Sequence, residues 1–275
     1  MTSHTRWLVI IPLLSLAVSA VAVHKNTGQD QETTCLPNAP DASQAANVLD
    51  VEELIAEYAL AVNAAHAALQ RGRWADATAL TPPPGAFAWS HFPQAWAATY
   101  VARAIGAARM GQTARARQDL EQLRLLGDTL VANGACDWAH EVFIRHRVAT
   151  AWAVYMERKY EEAAQLMRSA ATLEGASTQG PMIMPPIALA HESLGEMLLE
   201  RGQPGAALHA YEAALHRHPR RLTALYGAAQ ASELSGDLTK AQAFYVRLVE
   251  AAEQAGDRIK LAQAEAYLAN GHREP

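Results

Sequence analysis

The sequence predicts an all-α protein, a right-handed α-solenoid of about five helical hairpins plus a closing helix. Apolar residues make up 50% of the chain but aromatic residues only 7%. Ala dominates the apolar set, and it favours helices and lets them pack closely. No stretch alternates between apolar and polar residues with a period of two, so we expect essentially no sheet. A repeat of 34 residues near the C-terminus is the third observation.

Two consecutive copies of this repeat occupy residues 188–255. The matching residues are Leu194, Gly195, Gly202, Ala207, Tyr211, Ala214 and Pro219 in the first copy, and Ala228, Ala229, Gly236, Ala241, Tyr245 and Leu248 in the second. This spacing is that of tetratricopeptide (TPR) repeats. Gly202 and Gly236 mark the turn between the two helices of a hairpin, which needs a positive φ. The Tyr of each copy fills the gap between neighbouring hairpins. We expect Gly195 to face Ala207 where two helices of one hairpin cross.

The other elements follow the pattern less strictly. We divide the chain into 1–22, a signal peptide or uncleaved anchor; 23–49, a polar tether; 50–93, a degenerate N-terminal hairpin and Pro-rich loop; 94–174, two TPR-like hairpins; 175–187, a Pro/Met loop; 188–255, two clear repeats; and 256–275, a closing helix and tail. Arg145–Glu157 is the expected first helix of the third hairpin. Asp257 is the expected N-cap of the closing helix.

The N-terminus predicts export to the periplasm. Residues 7–23 are apolar, and Ala20-Val21-Ala22 offers small residues at the spacing that a signal peptidase reads. An uncleaved anchor in the inner membrane is the alternative, because the apolar run is near the shortest length that spans a bilayer. In an oxidising compartment Cys35, in the tether, and Cys136, at the expected start of a helix, are able to form a disulfide that pins the tether to the array. Two separate free thiols are the other possibility.

Composition and motifs exclude several classes of function. The formal net charge is −5 and no basic cluster interleaves with aromatic residues, so we expect no nucleic-acid partner. No hydrolase, metalloprotease or phosphate-binding motif is present, and we expect neither an enzyme nor a cofactor. Met182, Met184 and His191 are able to bind Cu(I) in an exported protein, although packing is the more ordinary role of such methionines. A copper or small-molecule handling protein, or a non-catalytic subunit of an enzyme complex, is therefore the alternative function.

The concave face, which the first helix of each hairpin forms in TPR arrays, is the expected binding site for a protein or peptide. Its predicted residues are Arg145, Trp152, Tyr155, Glu192, Glu196, Leu199, Tyr226, Gln230 and Glu233. Aromatic anchors with a few charges suit peptide capture. Glu192 and Glu196 stand where TPR carboxylate clamps have Lys and Asn, which argues against such a clamp and favours a basic or neutral partner.

The stretch from Gln94 to Ala269 also resembles a family of uncharacterised bacterial TPR proteins. The resemblance is carried by TYVARAIGAARMG, DWAHEVFIRHRVATAW, LMRSAATLE, LGEMLLERGQPGAALHAYEAAL and LYGAAQASELSGDLTKAQAFYVRL. It covers well over half of the chain. It implies an all-helical repeat fold and export, and it brings no catalytic residues.

Overall fold

A computed structural model of the chain describes residues 62–81, 93–176 and 187–270. All of these residues belong to one compact unit, Cys35–Pro275. The predicted signal segment, the tether and most of the Pro/Met loop lie outside the described residues. Within the described ranges the regular structure is helical and no strand occurs.

The described residues form eleven helices. They are α1 (62–70), α2 (Trp74–Ala79), α3 (Pro93–Arg109), α4 (Thr113–Ala132), α5 (Cys136–Met156), α6 (Tyr160–Ala176), α7 (Ala190–Glu200), α8 (Pro204–Arg217), α9 (Leu222–Leu234), α10 (Leu238–Ala255) and α11 (Arg258–Asn270). Helices α3 to α10 pack in chain order as four hairpins, and α11 packs against α10 after the last of them. Helices α1 and α2, joined by the tight turn at Gly72, precede these as the first hairpin, and α2 packs against α3. The protein is an all-α solenoid, as the repeat predicts.

Glycines form the turns within four of the five hairpins. Gly72, Gly111, Gly202 and Gly236 have φ values between 61° and 79°, a left-handed conformation in which a Cβ atom is strained. The predicted role of the turn glycines is therefore confirmed. In the third hairpin the same position, between α5 and α6, is occupied by Arg158 at a φ of 65°.

Tyr211 packs between neighbouring hairpins, as the repeat predicts, but its partners correct one expectation. A Cβ atom added to Gly195 on α7 would lie 2.7 Å from the Tyr211 ring, and one added to Gly227 on α9 would lie closer still. Gly195 thus faces Tyr211 rather than Ala207, because the missing side chain admits a whole ring. Ala207 is fully buried.

Two helix boundaries differ from those expected, and one cap is confirmed. Helix α5 begins at Cys136, as expected for that residue, and so the first helix of the third hairpin starts well before Arg145, because Ala139 and Val142 already bury one face of the helix. Helix α6 runs to Ala176, two residues into the predicted loop. Asp257 caps α11: its Oδ1 accepts hydrogen bonds from the backbone N–H groups of Ile259 at 3.1 Å and Lys260 at 3.0 Å.

None of the described helices combines the length and the apolar character that crossing a bilayer requires. The apolar segment at residues 7–23 lies outside the described ranges, so its role as signal peptide or anchor stays a prediction.

Candidate functional site

The structure places three of the predicted concave-face residues, all on α5, inside the array. Trp152 is only 2% exposed and Tyr155 8%. Arg145 is buried as well, and its guanidinium forms ion pairs with Glu174 at 2.5 Å and with Glu141 at 3.1 Å. We therefore no longer expect Arg145, Trp152 or Tyr155 to anchor a partner from an open surface. Their side chains hold neighbouring helices together.

The two acidic residues predicted on α7 are already paired with arginines. Glu192 Oε1 lies 2.8 Å from Arg221 Nε, and Glu196 Oε1 lies 3.2 Å from Arg109 Nη2. Burial raises the pKa of Glu192, and the Arg221 guanidinium opposes that rise. Since both carboxylates have cationic partners within the protein, the argument that they select a basic partner loses its basis.

The three predicted residues on α9 lie at the surface. Gln230 Nε2 donates a hydrogen bond to Tyr226 Oη at 3.0 Å, and Lys260 Nζ on α11 lies 3.6 Å from the centre of the Tyr226 ring. Glu233 is exposed, and its carboxylate is 3.5 Å from the Tyr245 hydroxyl. Tyr226 and Gln230 are partly exposed. A binding role for these three residues stays a prediction.

A cleft of about 360 Å³ opens where several hairpins meet. We call it the turn cleft, because it lies beside the turn between α5 and α6. Its lining consists of Trp74, Arg109, Tyr155, Met156, Arg158, Tyr160 and Glu200. These residues come from each of the first four hairpins, so the stacking of the array creates the cleft. Tyr155 is the one lining residue that was predicted to bind a partner.

Arg109 joins the walls of the turn cleft. Its guanidinium carbon lies 4.9 Å from the centre of the Trp74 ring and 4.5 Å from that of Trp152, so both rings make cation–π contacts with it. Its Nη1 also lies 2.6 Å from Glu200 Oε1 on α7. Arg109 thereby links α2, α3, α5 and α7 with a side chain that is only 15% exposed.

Aromatic rings pack behind the cleft opening. Tyr155 meets Trp152 and Tyr160 edge to face, with ring centres 5.5 Å and 5.1 Å apart. Burial raises the pKa of Tyr155 to about 12, with the charge of Glu200 adding to the rise. The Arg201 guanidinium carbon lies 4.2 Å from the centre of the Tyr160 ring. The phenol of Tyr155 is therefore neutral at physiological pH and serves as a rigid wall.

Arg158 stands at the mouth of the cleft. Its side chain is exposed, and its backbone has the left-handed φ that glycine provides in the other hairpins. The adjacent Glu157 is shared between Arg117 at 2.6 Å and Lys159 at 3.0 Å. Among the residues that the structure describes, no carboxylate pairs with Arg158.

The predicted disulfide and copper site fall largely outside the described residues. Cys136 begins α5 and is not a free thiol, but Cys35 lies outside the described ranges, so the pairing stays a prediction. Met182 and Met184 lie outside them too. His191 Nδ1 is 3.3 Å from Glu174 Oε2. Within the described ranges no three His, Cys, Asp or Glu side chains group as metal ligands would.

One family model matches the chain, in the region of its last two hairpins. Residues 198–266 match the family model for the tetratricopeptide repeat. This part of the chain, from the end of α7 into α11, therefore has the tetratricopeptide-repeat pattern. The solved structure of MamA AMB-1 is 18% identical, with a TM-score of 0.33, over 58% of this chain and 98% of that one. That of MamA MSR-1 is 15% identical, with a TM-score of 0.35, over 72% of this chain and 98% of that one. No curated protein is significantly similar to the chain.

The sequence does not predict most of the turn cleft. The TPR pattern marks helix packing within a hairpin and between adjacent hairpins, whereas the cleft brings together residues from four hairpins. Arg109 and Glu200, for example, pair across the cleft although they lie on α3 and α7, in different hairpins. One signal was present in the sequence. Arg158 occupies the turn position that is Gly in the other four hairpins, and a bulky residue at a left-handed turn is unusual enough to mark a candidate site.

Proposed function

We propose that this chain is an exported TPR scaffold that binds a protein or peptide partner on its concave face and carries out no chemistry of its own. TPR arrays are protein-interaction scaffolds, and each hairpin adds a first helix to a continuous binding surface. Export is proposed from the apolar segment at residues 7–23.

One observation carries the proposal: the TPR match covers α9, and three predicted binding residues of this helix reach the surface while much of the helix is buried. Tyr226, Gln230 and Glu233 offer an aromatic ring, an amide and a carboxylate at successive turns of this helix. Such a set supports recognition of an extended or helical segment. The buried pairs on α5 and α7 hold the face in place.

Site-specific photo-crosslinking in the cells that make the protein tests this proposal. A photoreactive residue replaces Glu233 on the concave face, and the same residue replaces His209, whose side chain is 85% exposed on the second helix of the fourth hairpin, as a matched control. We expect a discrete protein adduct from position 233, recovered in the periplasmic fraction, and none from position 209.

Adducts from position 209 without any from position 233 would contradict binding on the concave face. Recovery of the adduct only from the cytoplasm would contradict export. The absence of protein adducts from Glu233, and from Tyr226 and Gln230 when they are replaced in turn, would contradict the scaffold itself.

A further inference from the structure

Two cationic side chains line the turn cleft, Arg109 and Arg158. Arg109 is already paired with two carboxylates, Glu200 at 2.6 Å and Glu196 at 3.2 Å. Arg158 is exposed and has no carboxylate partner among the described residues. The positive charge that is open to a ligand therefore resides on Arg158.

A cationic ligand would find the aromatic faces of the cleft occupied. Arg109 lies over Trp74 at 4.9 Å, and Arg201 lies over Tyr160 at 4.2 Å. The rings thus already hold guanidinium groups of the chain itself, and a further cation would also meet the charge of Arg158. Met156, which is 39% exposed, adds an apolar rim. The lining is complementary to an anionic group with an apolar neighbour.

The backbone conformation at Arg158 supports a binding role for its side chain. An L-residue at a φ of 65° is strained, and the equivalent turns of the other hairpins use glycine. Strained residues that persist cluster at functional sites. The guanidinium provides paired N–H donors for a carboxylate, which glycine at this turn would lack. A ligand-binding role explains why a side chain is kept here.

We infer that the turn cleft binds an acidic side chain of a protein partner together with the apolar residue next to it, with Arg158 holding the carboxylate. The inference rests on the proposed scaffold function and gives the chemistry of the partner at one place. It concerns the turn of the third hairpin and not the α7 positions of a TPR carboxylate clamp, which are Glu192 and Glu196 here.

Fluorescence polarisation with short labelled peptides tests the inference on the full chain. The peptides are acetylated and amidated, so that a central phenylalanine–aspartate pair supplies the one carboxylate, and matched peptides carry asparagine or lysine in place of the aspartate. We expect the aspartate peptide to bind about tenfold more tightly than either control, because one charge-assisted hydrogen-bond pair is lost in the others. The preference for the aspartate peptide should weaken as the salt concentration rises.

The variant Arg158→Gly separates binding from folding. Glycine adopts this φ without strain, so the unfolding midpoint should be unchanged or higher while the aspartate preference falls about tenfold. Arg158→Lys keeps the charge and should retain much of the preference. Arg124→Gln is the control, because it removes a positive charge from the exposed face of α4. It should leave peptide binding unchanged.

Three results would overturn the inference. They are equal binding of the aspartate and lysine peptides, an aspartate preference that survives in Arg158→Gly, and binding of free phenylacetate as tight as that of the peptide, which would indicate a small-molecule carboxylate site. Any of these with the Glu233 adduct still present leaves the proposed scaffold standing. The absence of adducts from Glu233, Tyr226 and Gln230 alike contradicts the scaffold, whatever the peptide experiments show.

Discussion

At the residue scale, the Tyr211 ring held between α7 and α9 explains two glycines that helix propensity alone would disfavour. A Cβ on Gly195 or Gly227 would overlap this ring. The two glycines lie on α7 and α9, so the ring is confined by both helices. We expect Gly227→Ala to lower the free energy of unfolding by about 1–3 kcal/mol through overpacking, despite the better helix propensity of Ala. Urea denaturation at neutral pH measures the change.

Gly205 on α8 is the matched control for this prediction, since nothing lies within 4 Å of an added Cβ. Gly205→Ala should be neutral or stabilising by up to about 1 kcal/mol. If both substitutions raise stability alike, the ring is not confined between the two hairpins.

Glu174 is the other residue whose environment leads to a prediction. Its carboxylate accepts a hydrogen bond from the Ala190 backbone N–H at 3.0 Å and pairs with Arg145 at 2.5 Å. Burial raises the pKa of Glu174, but Arg145 and the hydrogen bonds from His191 and Ala190 outweigh it and lower the pKa from 4.5 to about 2. The lowered pKa means that Glu174 stabilises the fold above about pH 4.5 and loses this effect as the pH falls toward 2.

Glu174→Gln should therefore lower the free energy of unfolding at pH 7 by about 3 kcal/mol, the lower end for a broken buried pair, because Glu141 still pairs with Arg145. The difference from wild type should shrink between pH 4.5 and pH 2. Urea titrations across this range measure it. Glu121→Gln, in an exposed pair with Arg124, is the control and should stay close to wild type throughout. A pH-independent difference for Glu174→Gln would contradict the assigned charge.

At the element scale, α11 ends the array by covering the last hairpin. Tyr267 on α11 stacks on Tyr245 of α10 with ring centres 3.9 Å apart, and Ala264 is fully buried. A chain truncated after Gly256 should therefore melt at a lower temperature, because an exposed apolar end remains. Removal of residues 271–275 alone should leave the melting temperature unchanged. Equal melting temperatures for both truncations would show that α11 is not a cap.

The helices also show how far the sequence determines the fold. Helices α7 to α10 are readily predicted, because Gly195, Ala207 and Tyr211 recur with their counterparts at the repeat spacing. The sequence predicts a helix start at Cys136 but does not show that this helix continues into the first helix of the third hairpin, because the repeat pattern begins only at Arg145. Repeat patterns locate close helix contacts and leave the outer helix ends undefined.

The exposure of the predicted site residues was harder to predict than the helices, for a physical reason. Position within a repeat says which side of a helix a residue occupies, but it does not say whether the next hairpin covers that side. Trp152 is covered, whereas Glu233 is exposed. The partners Arg109 and Arg221 of the α7 carboxylates come from other hairpins, and no pattern within one repeat predicts such pairs.

At the scale of the whole molecule, the hairpins form one support for the proposed binding surface. Arg109 ties the first four hairpins together, and the Tyr211 and Tyr245 rings continue the packing to α11. A rigid array of this kind lets a partner bind without ordering the scaffold, which lowers the entropic cost of association. The proposed partner contacts the surface of the first helices and leaves the outer surface of the second helices in solvent.

Amide hydrogen exchange of the full chain, alone and with the partner captured at Glu233, tests this account most directly. It predicts that the partner slows exchange in the first helices α7 and α9 and at the turn around Arg158, while exchange in the second helices α8 and α10 changes little. Slowed exchange confined to α8 and α10, or no change anywhere at a saturating partner concentration, would contradict binding on the concave face of the TPR array.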